Sequence, residues 1–257
     1  MPTSALLLAL AAACVHAFWN LLLARARDIE AATVVALVVA EIVFAPVVVV
    51  TWHVERSVIP FLVAGGALQL LYFVLLATGY RLADLSVVYP IARGTAPVLV
   101  LVVGVAALGR STSAGQVLGV LLVGAGVLLV RGAGRRGGPG VPYGLLIACT
   151  IAGYTLVDKS GVRHAGAIPY LELEMLVPTL VYTAAVTRRK GVLALRNAWG
   201  WQAAVAGIAS FGAYGLVLLA LQRAPAAPVA AVRETSVVLT ALLARHVLKE
   251  RVGLPRI

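Results

Sequence analysis

Residues 31–52 read AATVVALVVAEIVFAPVVVVTW, an apolar run that is interrupted by one charged side chain, Glu41. A helix that crosses a bilayer needs about 20 residues of this kind, since its backbone must be hydrogen-bonded within the segment. Over the whole chain of 257 residues, 61% are hydrophobic and 12% are charged. A soluble domain has about 45–50% apolar and about 25% charged residues, so the composition predicts a membrane protein.

Apolar runs of similar length recur along the rest of the chain, and short polar connections separate them. They predict an all-α fold, a polytopic membrane helix bundle of about nine transmembrane helices. The stretch RGAGRRGGPG at 131–140 follows the fifth helix and is the natural boundary between two halves. The predicted helices cover residues 4–24, 31–52, 58–78, 85–108, 114–130, 143–157, 168–186, 201–221 and 226–247, with an extension of the sixth into Asp158 left open.

The formal net charge of +11 comes from basic residues in the connections between apolar runs. This pattern is typical of loops that flank membrane helices and not of a nucleic-acid groove. Cys14 and Cys149 lie inside apolar runs without metal-ligand spacing, and the four histidines form no HExxH signature. The sequence also lacks a GxxxxGK[ST] loop and a GxSxG motif. We therefore expect no cofactor, no metal, no catalytic residues and no nucleic-acid partner.

Two halves of the sequence share a pattern of polar residues. Tyr72 precedes Arg81 by nine positions near the end of the third predicted helix. Tyr214 precedes Arg223 by the same nine positions near the end of the eighth. The shared order indicates that the chain arose by duplication of one unit.

The helix that follows each of these pairs provides further evidence for a duplication. It carries RGT at 93–95 in the first half and RET at 233–235 in the second, with one common offset of 140 positions. A unit of five helices is odd in number, so two tandem units insert with opposite topologies, as in transporters with inverted repeats. The expected division is a first repeat at 1–131 with five helices, a linker at 132–142, and a second repeat at 143–257 with four helices.

Four motifs resemble one known family. They are CVHAFWN at 14–20, DLSVVYPIARG at 84–94, VRETS at 232–236 and LKER at 248–251. Together they resemble EamA-type proteins of the drug/metabolite transporter superfamily, and the resemblance covers essentially the whole chain. It implies two five-helix repeats, ten helices in all, and a protein that exports or imports small metabolites.

The chain departs from the family pattern at two places. It ends at Ile257, just after the ninth predicted helix, where the family continues into a tenth. The sequence LGR at 108–110 also lacks the glutamate that the second half keeps at Glu250. We therefore expect the second repeat to be truncated, and we expect that a tenth helix or a partner would complete it.

The expected function is secondary transport of a small polar or amphipathic metabolite across the bacterial cytoplasmic membrane, by alternating access between the repeats. The expected partners are the lipid bilayer, the metabolite, protons as the coupling ion and further copies of the chain. Two alternatives stay open. One is a membrane-embedded enzyme that uses buried carboxylates, and the other is a structural partner subunit.

Polar side chains at membrane depth are the candidates for substrate binding or gating. An ionisable residue at the bilayer centre costs about 2.5–3.5 kcal/mol on insertion scales, so such residues face the protein interior. The structural alternative is that they form interhelical ion pairs and hydrogen bonds that fix packing. The candidates are His16, Trp19, Asn20, Glu41, Tyr72, Tyr89, Arg93, Tyr154, Glu174, Tyr214, Arg233 and Glu234.

The two arginines lead this set. Arg93 and Arg233 each lie about two turns inside a predicted helix, and an arginine stays charged in a protein. Each therefore needs a carboxylate, an array of carbonyl groups or an anionic ligand. We expect both to face a central interface, with Glu41 and Glu174 as partners or neighbours.

The orientation in the membrane stays open at the sequence level. The excess of lysine and arginine in alternate connections favours an external N-terminus by the positive-inside rule. The family resemblance implies a cytoplasmic N-terminus.

Overall fold

The computed structural model describes residues 1–82, 85–109, 111–131 and 140–247. This part of the chain is almost entirely α-helical, with a single 3-10 turn at Arg56–Val58, so the predicted all-α class is confirmed. The helices are α1 Thr3–Ala24, α2 Ile29–Val50, α3 Ile59–Leu82, α4 Leu85–Ala106, α5 Ala114–Arg131, α6 Gly140–Gly161, α7 Ala167–Lys190, α8 Val192–Ala198, α9 Trp201–Arg223 and α10 Ala226–Val247.

The helix count differs from the predicted nine. Each predicted run contains a helix, but a tenth, the seven-residue α8, lies between α7 and α9. It follows Gly191, whose φ of 80° ends α7 in a conformation that glycine adopts at no steric cost. So short a helix contains no run of bilayer length, which is why hydrophobic patterning does not predict it.

Six of the helices are long and apolar enough to cross a membrane, namely α1, α2, α3, α4, α6 and α9. The helices α7 and α10 instead carry charged side chains within their length, Glu174 and Arg233 among them. Large apolar side chains such as Val49, Leu122 and Leu129 are exposed on the outside of the bundle. An apolar exterior of this extent suits contact with lipid.

Some predicted features fall outside the described residues. These are Asp84 in the motif before α4, Arg110, most of the predicted linker, and the segment 248–257 with Glu250. The last three residues of the predicted linker, 140–142, form the start of α6.

The contacts between the two halves are symmetric, since they stay the same when each helix of one half is exchanged for its counterpart in the other. The first helix, α1, packs on α9 and α10, while α6 packs on α3 and α4. In the same way α2 packs on α9 and α7 packs on α3, and the pairs α2–α7 and α4–α10 meet directly. Exchanging α1 with α6, α2 with α7, α3 with α9 and α4 with α10 leaves these contacts unchanged. Each half therefore packs mainly on the other half.

Glycines permit the closest approaches between helices. A Cβ atom at Gly207 of α9 would lie 2.0 Å from the carbonyl oxygen of Ala36 in α2. A Cβ atom at Gly144 of α6 would lie 2.8 Å from the side chain of Ile91 in α4. Small residues at such positions let membrane helices pack closely through van der Waals contact.

Candidate functional site

Arg93 and Arg233 meet on one carboxylate oxygen at the contact between α4 and α10. Arg93 Nη1 donates to Glu234 Oε1 at 3.5 Å, and Arg233 Nη2 donates to the same atom at 3.3 Å. Glu234 is fully buried, and the arginines are 8% and 3% exposed. Charges removed from water need partners of opposite sign, so these three side chains stabilise one another. We call them the arginine cluster.

The ion pairs correct one expectation from the sequence. Within the described part of the chain, both arginines pair with Glu234 and form no ion pair with Glu41 or Glu174. Arg233 and Glu234 are sequence neighbours, so their side chains leave an ideal helix about 100° apart. The long arginine side chain nevertheless reaches the neighbouring carboxylate. Sequence spacing alone does not indicate such a pair.

The α1 candidates extend the arginine cluster. His16 Nε2 lies 3.3 Å from Arg93 Nη2. A guanidinium only donates hydrogen bonds, so His16 Nε2 accepts, and the proton of a neutral ring is then on Nδ1. The Trp19 ring stands edge-on to the His16 ring at 4.8 Å between centroids. Asn20 instead donates to the His16 carbonyl oxygen at 2.9 Å, a bond within its own helix.

The tyrosine candidates form a row beside the arginine cluster. The Tyr154 ring of α6 stands edge-to-face with Tyr72 of α3 at 6.2 Å and with Tyr214 of α9 at 6.1 Å. The Tyr89 ring lies 5.6 Å from Arg93 Cζ, within the range of a cation–π contact. The structure therefore brings the two matching tyrosines of the halves, Tyr72 and Tyr214, onto one shared partner.

A pair of carboxyl groups lies next to this row, and sequence reasoning identified only one of its members. Asp158 of α6 is fully buried, and it accepts a hydrogen bond from Tyr170 Oη at 3.1 Å and another from Tyr214 Oη. The carboxyl group of Glu174 in α7 is close enough to interact with that of Asp158. We call these two residues the buried acid pair. Asp158 was not among the candidates because the sequence places it at the very end of the sixth predicted helix, whereas α6 continues to Gly161.

Glu41 belongs to a different contact. Its Oε1 accepts a hydrogen bond from Thr179 Oγ1 at 3.0 Å where α2 packs on α7, and its carboxyl group interacts with that of Glu172. Both glutamates are only partly buried. Glu41 therefore joins the two halves at a place separate from the arginine cluster.

A pocket of about 330 Å³ opens between the ends of α4, α5, α6, α9 and α10. Its wall includes the basic residues Lys159, Arg163 and Arg223. None of the twelve candidate residues lines it. Ala226 of its wall is about two turns before Arg233 along α10, so the pocket lies between the arginine cluster and one face of the bundle.

Polar contacts join the halves at this same face, beside the N-terminus of α1. Glu55 Oε2 lies 3.1 Å from His164 Nδ1, and Glu55 N donates to the His164 carbonyl oxygen at 2.9 Å. Gly166 N donates to the carbonyl oxygen of His53 at 2.8 Å. Hydrogen bonds from His164 and Ser57 hold the pKa of the exposed Glu55 carboxyl below its usual value.

Ion pairs join the halves at the opposite face. Lys190 Nζ lies 2.7 Å from Asp28 Oδ1 and 2.7 Å from Glu30 Oε2, and Arg189 also pairs with Glu30. The hydrogen bond from Lys190 holds the pKa of the Asp28 carboxyl below its usual value. Both faces therefore tie the first half to the second through the ends of α2 and α7.

Comparison with known proteins gives the family. The model of the EamA-like transporter family matches residues 3–132 and 138–257. No curated protein matches the chain. Among 17 matching chains of solved structures is one titled "Crystal structure of protein", with 16% identity and a TM-score of 0.77 over 100% of this chain and 94% of that one. That identity establishes the fold alone. The chain belongs to the EamA-like transporter family of the drug/metabolite transporter superfamily and is an integral multi-pass membrane protein.

Proposed function

We propose that the protein is a secondary transporter that moves a small polar or amphipathic metabolite across a bacterial cytoplasmic membrane, by alternating access between its repeats. The proposed repeats are 1–131 and 143–257. The observation that carries the proposal is the shared use of Glu234 by Arg93 and Arg233. The two arginines come from helices that exchange with each other in the packing pattern, so the cluster lies where the halves meet.

The chemistry around the arginine cluster suits a polar ligand. Among the described residues, the buried atoms Trp19 Nε1, Arg233 Nε and Glu234 Oε2 have no hydrogen-bond partner. Leaving such a group unsatisfied costs about 1–3 kcal/mol, more when it is charged. A small ligand with both donors and acceptors would satisfy these atoms, and the tyrosine row would contact its apolar part.

The contacts at the two faces provide the gates that alternating access requires. At one face Glu55 contacts His164, and at the other Lys190 contacts Asp28. Exposed ion pairs are individually worth about 0–1 kcal/mol, so breaking one set at a time costs little. We propose that the substrate reaches the arginine cluster when one set opens while the other stays closed.

A counterflow experiment in proteoliposomes tests this function. Purified protein is reconstituted, and vesicles loaded with an unlabelled amino acid, sugar, nucleoside or organic acid receive the same compound in radiolabelled form. We expect at least one compound to accumulate transiently. We expect Arg93→Gln to reduce its initial rate of uptake at least about tenfold, which corresponds to a loss of about 1.4 kcal/mol in interaction free energy. Arg188→Gln is the control, because Arg188 is exposed at the end of α7. Equal rates for the wild type and Arg93→Gln would refute the proposed site.

A membrane-embedded enzyme is the second candidate. The observation that favours it is the pairing of carboxyl groups at Asp158–Glu174 and Glu41–Glu172, since paired carboxyls serve general acid–base chemistry. Turnover of lipid in the same vesicles, without counterflow of any compound, would favour this candidate.

A third candidate, a structural partner subunit, predicts counterflow only after a second protein is added. Self-association, which light scattering measures in detergent, stays a prediction.

A further inference from the structure

The buried acid pair has an unequal distribution of hydrogen bonds. Both oxygens of Asp158 accept a hydroxyl hydrogen, from Tyr170 and from Tyr214. Both oxygens of Glu174 are buried and accept no hydrogen bond within the described part of the chain. The Glu174 side chain is 0% exposed and interacts with Asp158, and Tyr170, which lies one turn before Glu174 on α7, donates to Asp158. The carboxylate with donors and the carboxyl without donors therefore lie side by side.

The backbone of α3 covers the carboxyl group of Glu174. A Cβ atom at Gly65 would lie 2.2 Å from Glu174 Oε1, so any larger residue there would displace this carboxyl group from its observed position. At Gly66 a Cβ atom would lie 3.0 Å from the Glu174 carbonyl oxygen. Because α3 contributes backbone and no donor side chain at this point, the packing provides a closed space for the carboxyl group.

Among the described residues, no ion pair forms with Asp158 or Glu174. The titratable groups that act on the buried acid pair are Tyr170 on α7, Tyr214 on α9 and Arg233 on α10, and Arg233 acts on Asp158 through its charge without forming an ion pair. Lys159 follows Asp158 in α6 but donates to the carbonyl oxygen of Leu221. Two ionised carboxylates in contact would repel strongly in this low-dielectric environment, whereas one shared proton gives the pair a donor and a single charge.

We propose that Asp158 and Glu174 form a proton-binding site, in which one proton bound to a Glu174 oxygen donates to Asp158. Release transfers that proton to water and leaves two carboxylates, and rebinding restores one carboxylic acid. Asp158 lies about one turn before the end of α6, beside the face that holds the contact between Glu55 and His164. In this proposal, protons exchange with the solution at that face, which is the nearer one along α6.

Tyr214 connects this site to the arginine cluster. Its hydroxyl group donates to Asp158, and its ring contacts the Tyr154 ring, which lies in the tyrosine row beside the arginines. Loss of the proton removes the Glu174 donor from Asp158 and places a second negative charge beside it, which alters the hydrogen bond from Tyr214. The coupling of the proton to a transported metabolite rests on the proposed function, whereas the binding of the proton itself does not.

Infrared difference spectroscopy on the full chain in nanodiscs tests proton binding without a substrate. A pH step is applied in H₂O and in D₂O, and the carbonyl stretching band of protonated carboxylic acids is recorded. We expect the wild type to show a band that titrates and shifts in D₂O, and we expect Glu174→Gln to lack it. The matched control is Glu172→Gln, the same change on the same helix outside the buried acid pair. This control is expected to keep the band that Glu174→Gln removes.

A second variant keeps the test decisive if Glu174→Gln does not fold. Asp158→Asn removes the neighbouring negative charge and supplies an amide donor to the ionised form of Glu174, so the band is expected to titrate at a lower pH than in the wild type. A band that titrates in both variants as it does in the wild type, or a wild type without any such band, overturns the assignment. A wild type that has the band but shows no counterflow leaves the proton site in place and refutes the transport proposal alone.

Discussion

Tyr214 of α9 donates its hydroxyl hydrogen to Oδ2 of Asp158 in α6, inside the membrane bundle. This hydrogen bond joins two helices that make few other contacts with each other. Asp158 needs such donors because an ionised carboxyl group without them is costly in a buried position. The bond also gives Tyr214 a fixed orientation against Tyr154.

Removal of this hydroxyl group is expected to destabilise the protein. Tyr214→Phe leaves one oxygen of Asp158 without its donor, and an unsatisfied buried acceptor costs about 1–3 kcal/mol. We expect a lower free energy of unfolding by that amount, measured by denaturant titration in detergent. Tyr182→Phe is the control, since the Tyr182 ring packs against Phe73 at 5.4 Å and this substitution retains the ring. Equal stability of Tyr214→Phe and the wild type would contradict the hydrogen bond.

Neutralising Glu234 is expected to leave both arginines without a carboxylate. Removing one partner of a buried ion pair costs about 3–5 kcal/mol because a charge then stays uncompensated. We expect Glu234→Gln to lose stability of this order and the double variant Arg93→Gln/Glu234→Gln to be less destabilised than the sum of the single changes. Additive losses in this cycle would show that Arg93 and Glu234 do not interact.

Asp28 is expected to contribute to stability in two separable ways. Its side chain accepts from Ala31 N at 3.1 Å at the start of α2, and it also pairs with Lys190. Asp28→Asn keeps an N-cap acceptor and loses the ion pair, at about 0–1 kcal/mol, whereas Asp28→Ala loses about 0.5–2 kcal/mol more. Thermal unfolding of both variants beside the wild type measures the two contributions. If Asp28→Ala is as stable as Asp28→Asn, the cap contributes nothing.

The ion-pair contribution of Asp28 depends on pH in a defined direction. The hydrogen bond from Lys190 places the pKa of Asp28 in the folded protein below its unfolded value, which is about 3.9. The contribution is therefore fully present above the unfolded pKa and is lost as pH falls through the folded pKa. The stability difference between wild type and Asp28→Asn is expected to vanish at low pH and to be constant near neutral pH. A difference that grows on acidification would contradict this sign.

Two glycines of α9 are expected to respond oppositely to the same substitution. A Cβ atom at Gly207 would lie 2.0 Å from the Ala36 carbonyl oxygen, so Gly207→Ala must separate α2 from α9, at about 1–3 kcal/mol. At Gly212 nothing lies within 4 Å of such an atom. Gly212→Ala is therefore expected to be neutral or to stabilise by about 0.5–1 kcal/mol. Thermostability in detergent compares the two, and equal effects would contradict the contact.

The sequence predicts the long helices because bilayer thickness sets their length, and it identifies Arg93, Arg233 and Glu234 as functional candidates because charge is costly in lipid. Which of these side chains meet depends on how α4 faces α10, and hydrophobic patterning carries no information on rotation between helices. For that reason the prediction that Glu41 or Glu174 is the ion-pair partner of the two arginines was wrong. Asp158 was not among the candidates because hydrophobic patterning places it at the end of a helix and not at membrane depth, whereas α6 continues for three more residues. The role of the arginine cluster stays a prediction.

The packing of α1 on α9 and α10 has a consequence for biosynthesis. During translation α1 enters the membrane before the other described helices. Its main neighbours, α9 and α10, follow only after the eight helices α1 to α8 have been synthesised. Until then its interior face must be solvated by lipid or held by the insertion machinery, because the intervening helices do not replace those neighbours. The native packing of α1 therefore forms after the helices have been inserted, by contacts between segments that are far apart in the sequence. Such contacts form slowly. A nascent chain that stalls after α8 would carry α1 in the bilayer without α9 and α10, its two main neighbours.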